Sequence, residues 1–209
     1  MIGWQRKAAA AVAETSDRTP GVQENPFGYY LDFYVYPVVL VALPFLALRE
    51  PGHPSAASWF AAAAIGLAVW TLVEYILHRY VLHNVFYFKG MHDSHHDEPK
   101  ALIETPIYYS LAFLVIGVLA PAYWAVGPCK ASGWAFGLTL GYVAFITMHH
   151  AMHFWRFPHD SYFYRAKHRH ALHHYSNDEG NFGVTTQFWD YVFGTALPEP
   201  QLEKRQRDA

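Results

Sequence analysis

Ten of the fourteen histidines fall into four short-spaced groups that can share metal ions. HRYVLH supplies His78 and His83, and HDSHH supplies His92, His95 and His96. HHAMH supplies His149 and His153, and HALHH supplies His170, His173 and His174. Residues four apart on a helix share a face. His92 with His96, His149 with His153, and His170 with His174 can therefore each reach one ion together. His95 and His173 lie three residues after the first member of their sets, on the same side. Neighbours in an HH pair point about 100° apart, which suits two adjacent ions better than one. His78 and His83 are five apart and do not share a face on a straight helix, so the helix is expected to end or loosen between them.

Imidazole suits iron, zinc, copper and nickel. Ten ligands exceed the three or four that one zinc takes, and match two ions of coordination number about five with positions open for oxygen. The single cysteine, Cys129, excludes an intrachain disulfide framework and a cysteine-ligated metal site. Each ligating ring needs a partner for its second N–H; Glu74, Asp93, Asp160 and Asp190 lie near enough in sequence to be considered. His53, His150, His159 and His168 complete the pattern less well and read as interfacial or solvated residues. Five or six buried imidazoles without a metal would repel one another when protonated and need many partners when neutral.

The elements that must position these rings are membrane helices. The chain has 209 residues, of which 53% are hydrophobic, 18% aromatic and only 15% charged; roughly 25% charged is usual in soluble proteins. A net charge of −2 gives no reason to expect a nucleic-acid partner. Apolar runs place spans at about 29–48, 56–77, 107–126 and 133–148, each long enough to cross a bilayer or nearly so. Pro37 and Pro44 would kink the first. The last pattern continues helically into His149 and His153. The expected fold is an all-α membrane protein: four transmembrane helices in two hairpins with a His-rich cytosolic helical cap.

The short connectors, 49–55 and 127–132, then share one side, with a polar turn around Lys130 in the second. The N-terminus, residues 78–106 and the C-terminal segment share the other, together with all ten histidines. Arg6, Lys7, Arg79, Lys89, Lys100, Arg156, Arg165, Lys167 and Arg169 also fall on that second side, which the positive-inside rule assigns to the cytoplasm. Both termini and the site are thus expected to be cytoplasmic. The domain reading is a cytoplasmic N-terminal tail over 1–28, one integral-membrane dimetal oxygenase domain with its cytosolic cap over 29–197, and a disordered tail over 198–209. An amphipathic helix is expected over 161–175. The segment GNFGVTTQFWDYVFGT, 180–195, is aromatic and turn-rich.

HRYVLH, HDSHH, HHAMH and HALHH, in that order around four spans, resemble the membrane-bound fatty acid hydroxylase/sterol desaturase superfamily. GVTTQFWDYVFGT is similar to that family's C-terminal segment, and HDSHH with DEPKALIETP to the corresponding stretch of fatty acid 2-hydroxylases. The resemblance implies a two-iron centre on the cytoplasmic face, held by His78, His83, His92, His95, His96, His149, His153, His170, His173 and His174. It implies that O2 and two electrons are coupled to hydroxylation or desaturation of a lipid C–H bond in lipid biosynthesis. An acyl chain is the implied substrate, and a separate ferredoxin or cytochrome b5-type donor the implied electron source. Zinc outcompetes ferrous iron for nitrogen ligands and can stand in the site of a purified sample.

Within the superfamily the alternatives are a carotenoid ring hydroxylase and a sterol or lipid desaturase. Outside it, a membrane b-type cytochrome would pair histidines across haem as an electron carrier, but HxxHH doublets are surplus to haem ligation. A zinc protease would need HExxH, which is absent. A non-catalytic metal store is the remaining reading.

Overall fold

The structure, a computed structural model, describes residues 25–198 other than His53, Glu104 and Asn177. The expected tails therefore fall almost entirely outside the described residues, as does His53. Among the described residues the secondary structure is all helical. Helix α1 covers Pro26–Ala47 and α2 Ala56–Ile76, and α2 runs on as a π-helix over Leu77–Leu82. A shorter α3 covers Phe86–Asp97. Helix α4, Ile107–Ala112, passes through a π-helical stretch, Phe113–Leu119, into α5, Ala120–Phe154. Helices α6, Tyr162–Tyr175, and α7, Phe188–Phe193, complete the order.

Three helical stretches are long and apolar enough to cross a membrane: Pro26–Ala47, Ala56–Leu82 and Ile107–Phe154. The third is 48 residues long. It is interrupted at Gly127, whose φ of 81° and ψ of 167° are not helical. Leu114 and Val118 before that break share one apolar core with Ala135 and Leu138 after it, and with Tyr36, Leu43 and Trp70. The polar turn expected around Lys130 is not present. The break is confined to Gly127, whose positive φ is open to glycine, and Pro128 follows directly inside the next helical run. The Glu50 carboxylate accepts from Cys129 N at 3.0 Å, joining the end of α1 to that break. Pro37 and Pro44 leave α1 a single helix.

Helix α2 lies closely against α5 because glycine lines the seam. A Cβ at Gly137 would stand 2.0 Å from Ala63 O, and one at Gly66 would stand 2.4 Å from Trp134 O. Small residues of this kind let membrane helices approach backbone to backbone. The approach carries the C-terminal ends of α2 and α5, with His78 and His149, toward the same end of the bundle. Ser161 caps α6 by accepting from Tyr164 N at 3.1 Å, and the helix then follows the expected range.

Candidate metal centre

All ten histidines converge, and they do so as two groups of five. His78, His83, His92, His96 and His173 form one, and His95, His149, His153, His170 and His174 the other. Within each group the ligand nitrogens lie within 4.8 Å of one another. Each HxxHH motif divides as the 100° offset requires. Helix α3 gives His92 and His96 to the first group and His95 to the second, while α6 gives His170 and His174 to the second and His173 to the first. The spacing of five between His78 and His83 is resolved by the π-helix, whose wider turn brings residues i and i+5 onto one face. His150, His159 and His168 lie outside both groups. His150 Nδ1 instead meets Tyr29 Oη at 3.0 Å.

Neighbouring Nε2 atoms stand 3.1 Å apart for His78/His92 and His83/His92, 3.0 Å for His92/His96, and 3.3 Å for His83/His173. In the second group the spacings are 3.0 Å for His95/His149, 3.2 Å for His149/His153, 2.9 Å for His153/His170 and 3.0 Å for His170/His174. Hydrogen bonding does not account for them. His78 Nδ1 donates to Phe182 O at 2.6 Å and His173 Nδ1 to Gly180 O at 2.8 Å. The neutral forms of these rings therefore have bare Nε2 atoms. His92 Nε2 faces three other ring nitrogens, and one N–H can serve only one of them. Two nitrogens each about 2.1 Å from a shared ion stand about 3.0 Å apart at a right angle and about 3.4 Å at the tetrahedral angle. The donor set fits two ions, each offered five imidazoles.

Burial keeps these rings neutral. His92, His95 and His170 are pushed well below the usual imidazole range, first by desolvation and then by the histidines around them. Burial, then His83, lowers His96 to about 4. Burial, then His96, lowers His173 to about 3. His174 is lowered as well, by burial and then His96. A neutral imidazole is the form that binds metal. Haem ligation, by contrast, needs two imidazoles facing each other across a macrocycle, and five nitrogens crowded into each group leave no such gap.

The expected carboxylate partners of the rings are not found. Asp93 pairs with Lys89 at 2.5 Å on the surface. Asp160 is exposed and receives Arg165 only at its backbone oxygen. Glu74 and Asp190 act one step further out. Glu74 Oε1 accepts from Val184 N at 2.7 Å and Thr185 N at 2.8 Å, and Oε2 accepts from the Thr185 hydroxyl. Asp190 accepts from Phe182 N and Gly183 N, both at 2.9 Å. Two buried acids thus grip the N–H groups of 182–185, and this loop's Phe182 carbonyl and that of nearby Gly180 orient two rings of the first group, His78 and His173 respectively. In the second group His170 and His174 Nδ1 have no hydrogen-bond partner among the described residues. Backbone carbonyls are contributed by any residue type, so no sequence signal marks Gly180 or Phe182.

A cavity of about 380 Å³ reaches the centre from within the helices. His78, His92, His95 and His149, two from each group, stand at one end. Its walls are mainly apolar and aromatic, among them Leu77, Phe113, Leu114, Val118 and Phe145.

The described residues thus combine helices long and apolar enough to cross a membrane, two histidine groups that could hold metal ions, and an apolar cavity lined by both groups. The profile of the fatty acid hydroxylase family matches residues 63–195, and the chain belongs to that family. Human fatty acid 2-hydroxylase is 33% identical over 155 residues, covering 68% of this chain and 41% of that protein. The ceramide very long chain fatty acid hydroxylase SCS7 of Saccharomyces cerevisiae is 34% identical over 158 residues, 67% of this chain and 39% of the relative. The chain therefore spans about two fifths of the length of these two relatives. The visible hydroxylase domain of full-length scs7p superposes with a TM-score of 0.69 at 26% identity, covering 85% of this chain and 69% of that one.

Proposed function

We propose that the chain is a membrane-bound oxygenase that hydroxylates a lipid acyl chain; its relatives are named as fatty acid hydroxylases. One observation carries this reading: the apolar cavity ends on histidines of both groups. A chain lying in it would present a C–H bond where two metal positions meet. In this reading all ten histidines are ligands, of two iron ions in the working protein and of zinc where zinc has displaced them. The bound ions would supply the O2 chemistry, taking two electrons from a ferredoxin or cytochrome b5-type partner. The protein's own residues do the rest. The rings offer bare nitrogens, the 180–185 loop fixes two of them, and the cavity walls align the acyl chain and exclude water.

The same reading takes the break at Gly127 as the turn between two spans. This gives four spans in two hairpins, a cytosolic cap of α3, α6 and α7, and a membrane-oxygenase unit over 29–197 flanked by tails. Its support is the shared core on either side of Gly127 and the Glu50–Cys129 bond that joins the two connectors. With Lys and Arg concentrated at the histidine end, the site and both termini are assigned to the cytoplasm.

The test is mass analysis of lipids from cells expressing the wild type or His173→Ala. Acyl chains that gain one oxygen in the wild type alone support the assignment. Unchanged lipids in cells whose purified protein carries both metals would overturn it.

A further inference from the structure

The cavity wall is not uniformly apolar. Asp32 and Tyr36 of α1, Ser110 of α4, and Thr139 and Tyr142 of α5 form a polar band in it. Asp32 is 6% exposed and Thr139 2%, and both lie in stretches of membrane-crossing length. The band is partly self-satisfied. Tyr142 donates to Asp32 Oδ2. Tyr36 donates to Ser110 Oγ at 2.6 Å, and Ser110 donates to Ile107 O at 3.0 Å. Two oxygens are left over, because Asp32 Oδ1 and Thr139 Oγ1 have no hydrogen-bond partner among the described residues.

An ionisable side chain at membrane depth is costly and marks a substrate or ion path by default. Leaving a buried oxygen unpaired adds to the cost. The acyl-chain reading of the cavity does not use this band. A plain alkyl chain threaded past it would leave both oxygens dry. The band also lies away from the histidines. Tyr142 precedes His149 by seven residues and Thr139 by ten, which at 1.5 Å per residue is about 10 Å and about 15 Å along α5. A hydroxyl both donates and accepts, so it can pair with Asp32 in either protonation state and with the Thr139 hydroxyl.

We propose that Asp32 and Thr139 form a polar subsite within the acyl cavity, selecting a lipid whose chain carries a hydroxyl group remote from the carbon that is oxidised. The proposal rests on the reading of the cavity as an acyl-chain site.

Displacement of a fluorescent polyene fatty acid from the purified, metal-loaded protein tests both. The competitors are stearate, a mid-chain hydroxystearate and a hydroxystearate bearing its hydroxyl beside the carboxylate. The mid-chain compound is expected to displace the probe at about tenfold lower concentration than the other two, as a buried hydrogen bond to a charged or polar group allows. Asp32→Leu removes that preference, Asp32→Asn keeps most of it, and Thr139→Val reduces it. Unchanged metal content in each variant shows that the cage has folded. Equal displacement by all three competitors in the wild type, as a band satisfied by water alone would give, overturns the subsite and leaves the acyl-chain reading standing. A preference that survives in both Asp32→Leu and Thr139→Val also overturns it. If no competitor displaces the probe, the acyl-chain reading falls and the subsite with it.

Discussion

The proposed ligation requires each histidine of the two groups to offer a bare nitrogen at cellular pH, and burial among other imidazoles favours that neutral form. The same burial makes the metal-free fold sensitive to acid. His96 and His173 fall to about 4 and about 3 in the folded chain, from about 6.5 when unfolded. The unfolded chain therefore binds more protons between those limits, and stability is lost progressively as pH falls from about 6.5 toward 3. Thermal unfolding of the metal-free protein should show a Tm that is level above about pH 7 and declines below 6.5; a Tm that rises on acidification would contradict this. At the same scale, His173→Ala removes one ring from the first group and is expected to lower the metal content and abolish activity. Elemental analysis beside a lipid assay checks both. The convergence of these residues into two groups was legible in the sequence because helical spacing alone divides an HxxHH motif between two faces. Their orienting partners were not. The expected carboxylates Glu74 and Asp190 are present but reach the rings only through backbone carbonyls.

At the scale of elements, the loop 180–185 and the α2–α5 seam hold the cage in shape. Glu74 and Asp190 between them grip four N–H groups of that loop. Glu74→Gln or Asp190→Asn should loosen the rings of His78 and His173 and weaken metal retention by about 10- to 100-fold, read by competition with a chelator. Loss of metal from such variants no faster than from the wild type would contradict the role. Gly137→Leu cannot be accommodated where even a Cβ would meet Ala63 O at 2.0 Å. It should destabilise the fold by about 1–3 kcal/mol or more, measured as a fall in Tm in detergent. The three helical stretches of membrane-crossing length were legible from apolar runs, and α6 from its Ser161 cap and amphipathic pattern. The polar turn expected around Lys130 was misread, because hydropathy registers the polar Lys130 but not a break confined to one glycine with positive φ. The π-helix at 77–82 was foreshadowed only as an irregularity between His78 and His83.

For the whole molecule, the account places the connectors near Gly52 and Gly127 at one membrane face and every clustered histidine at the other. Single cysteines at Gly52 and Ser176, both exposed, should react with a membrane-impermeant maleimide from opposite sides of sealed vesicles. The native Cys129 is 4% exposed and should contribute little background. Labelling of both positions from one side would contradict the four-span arrangement. Fold and centre meet in one quantity, the metal content of the gently purified wild-type protein together with its absorption spectrum. The account predicts about two non-haem metal ions per chain and no Soret band. One ion or none per folded chain, or a Soret band, would contradict it.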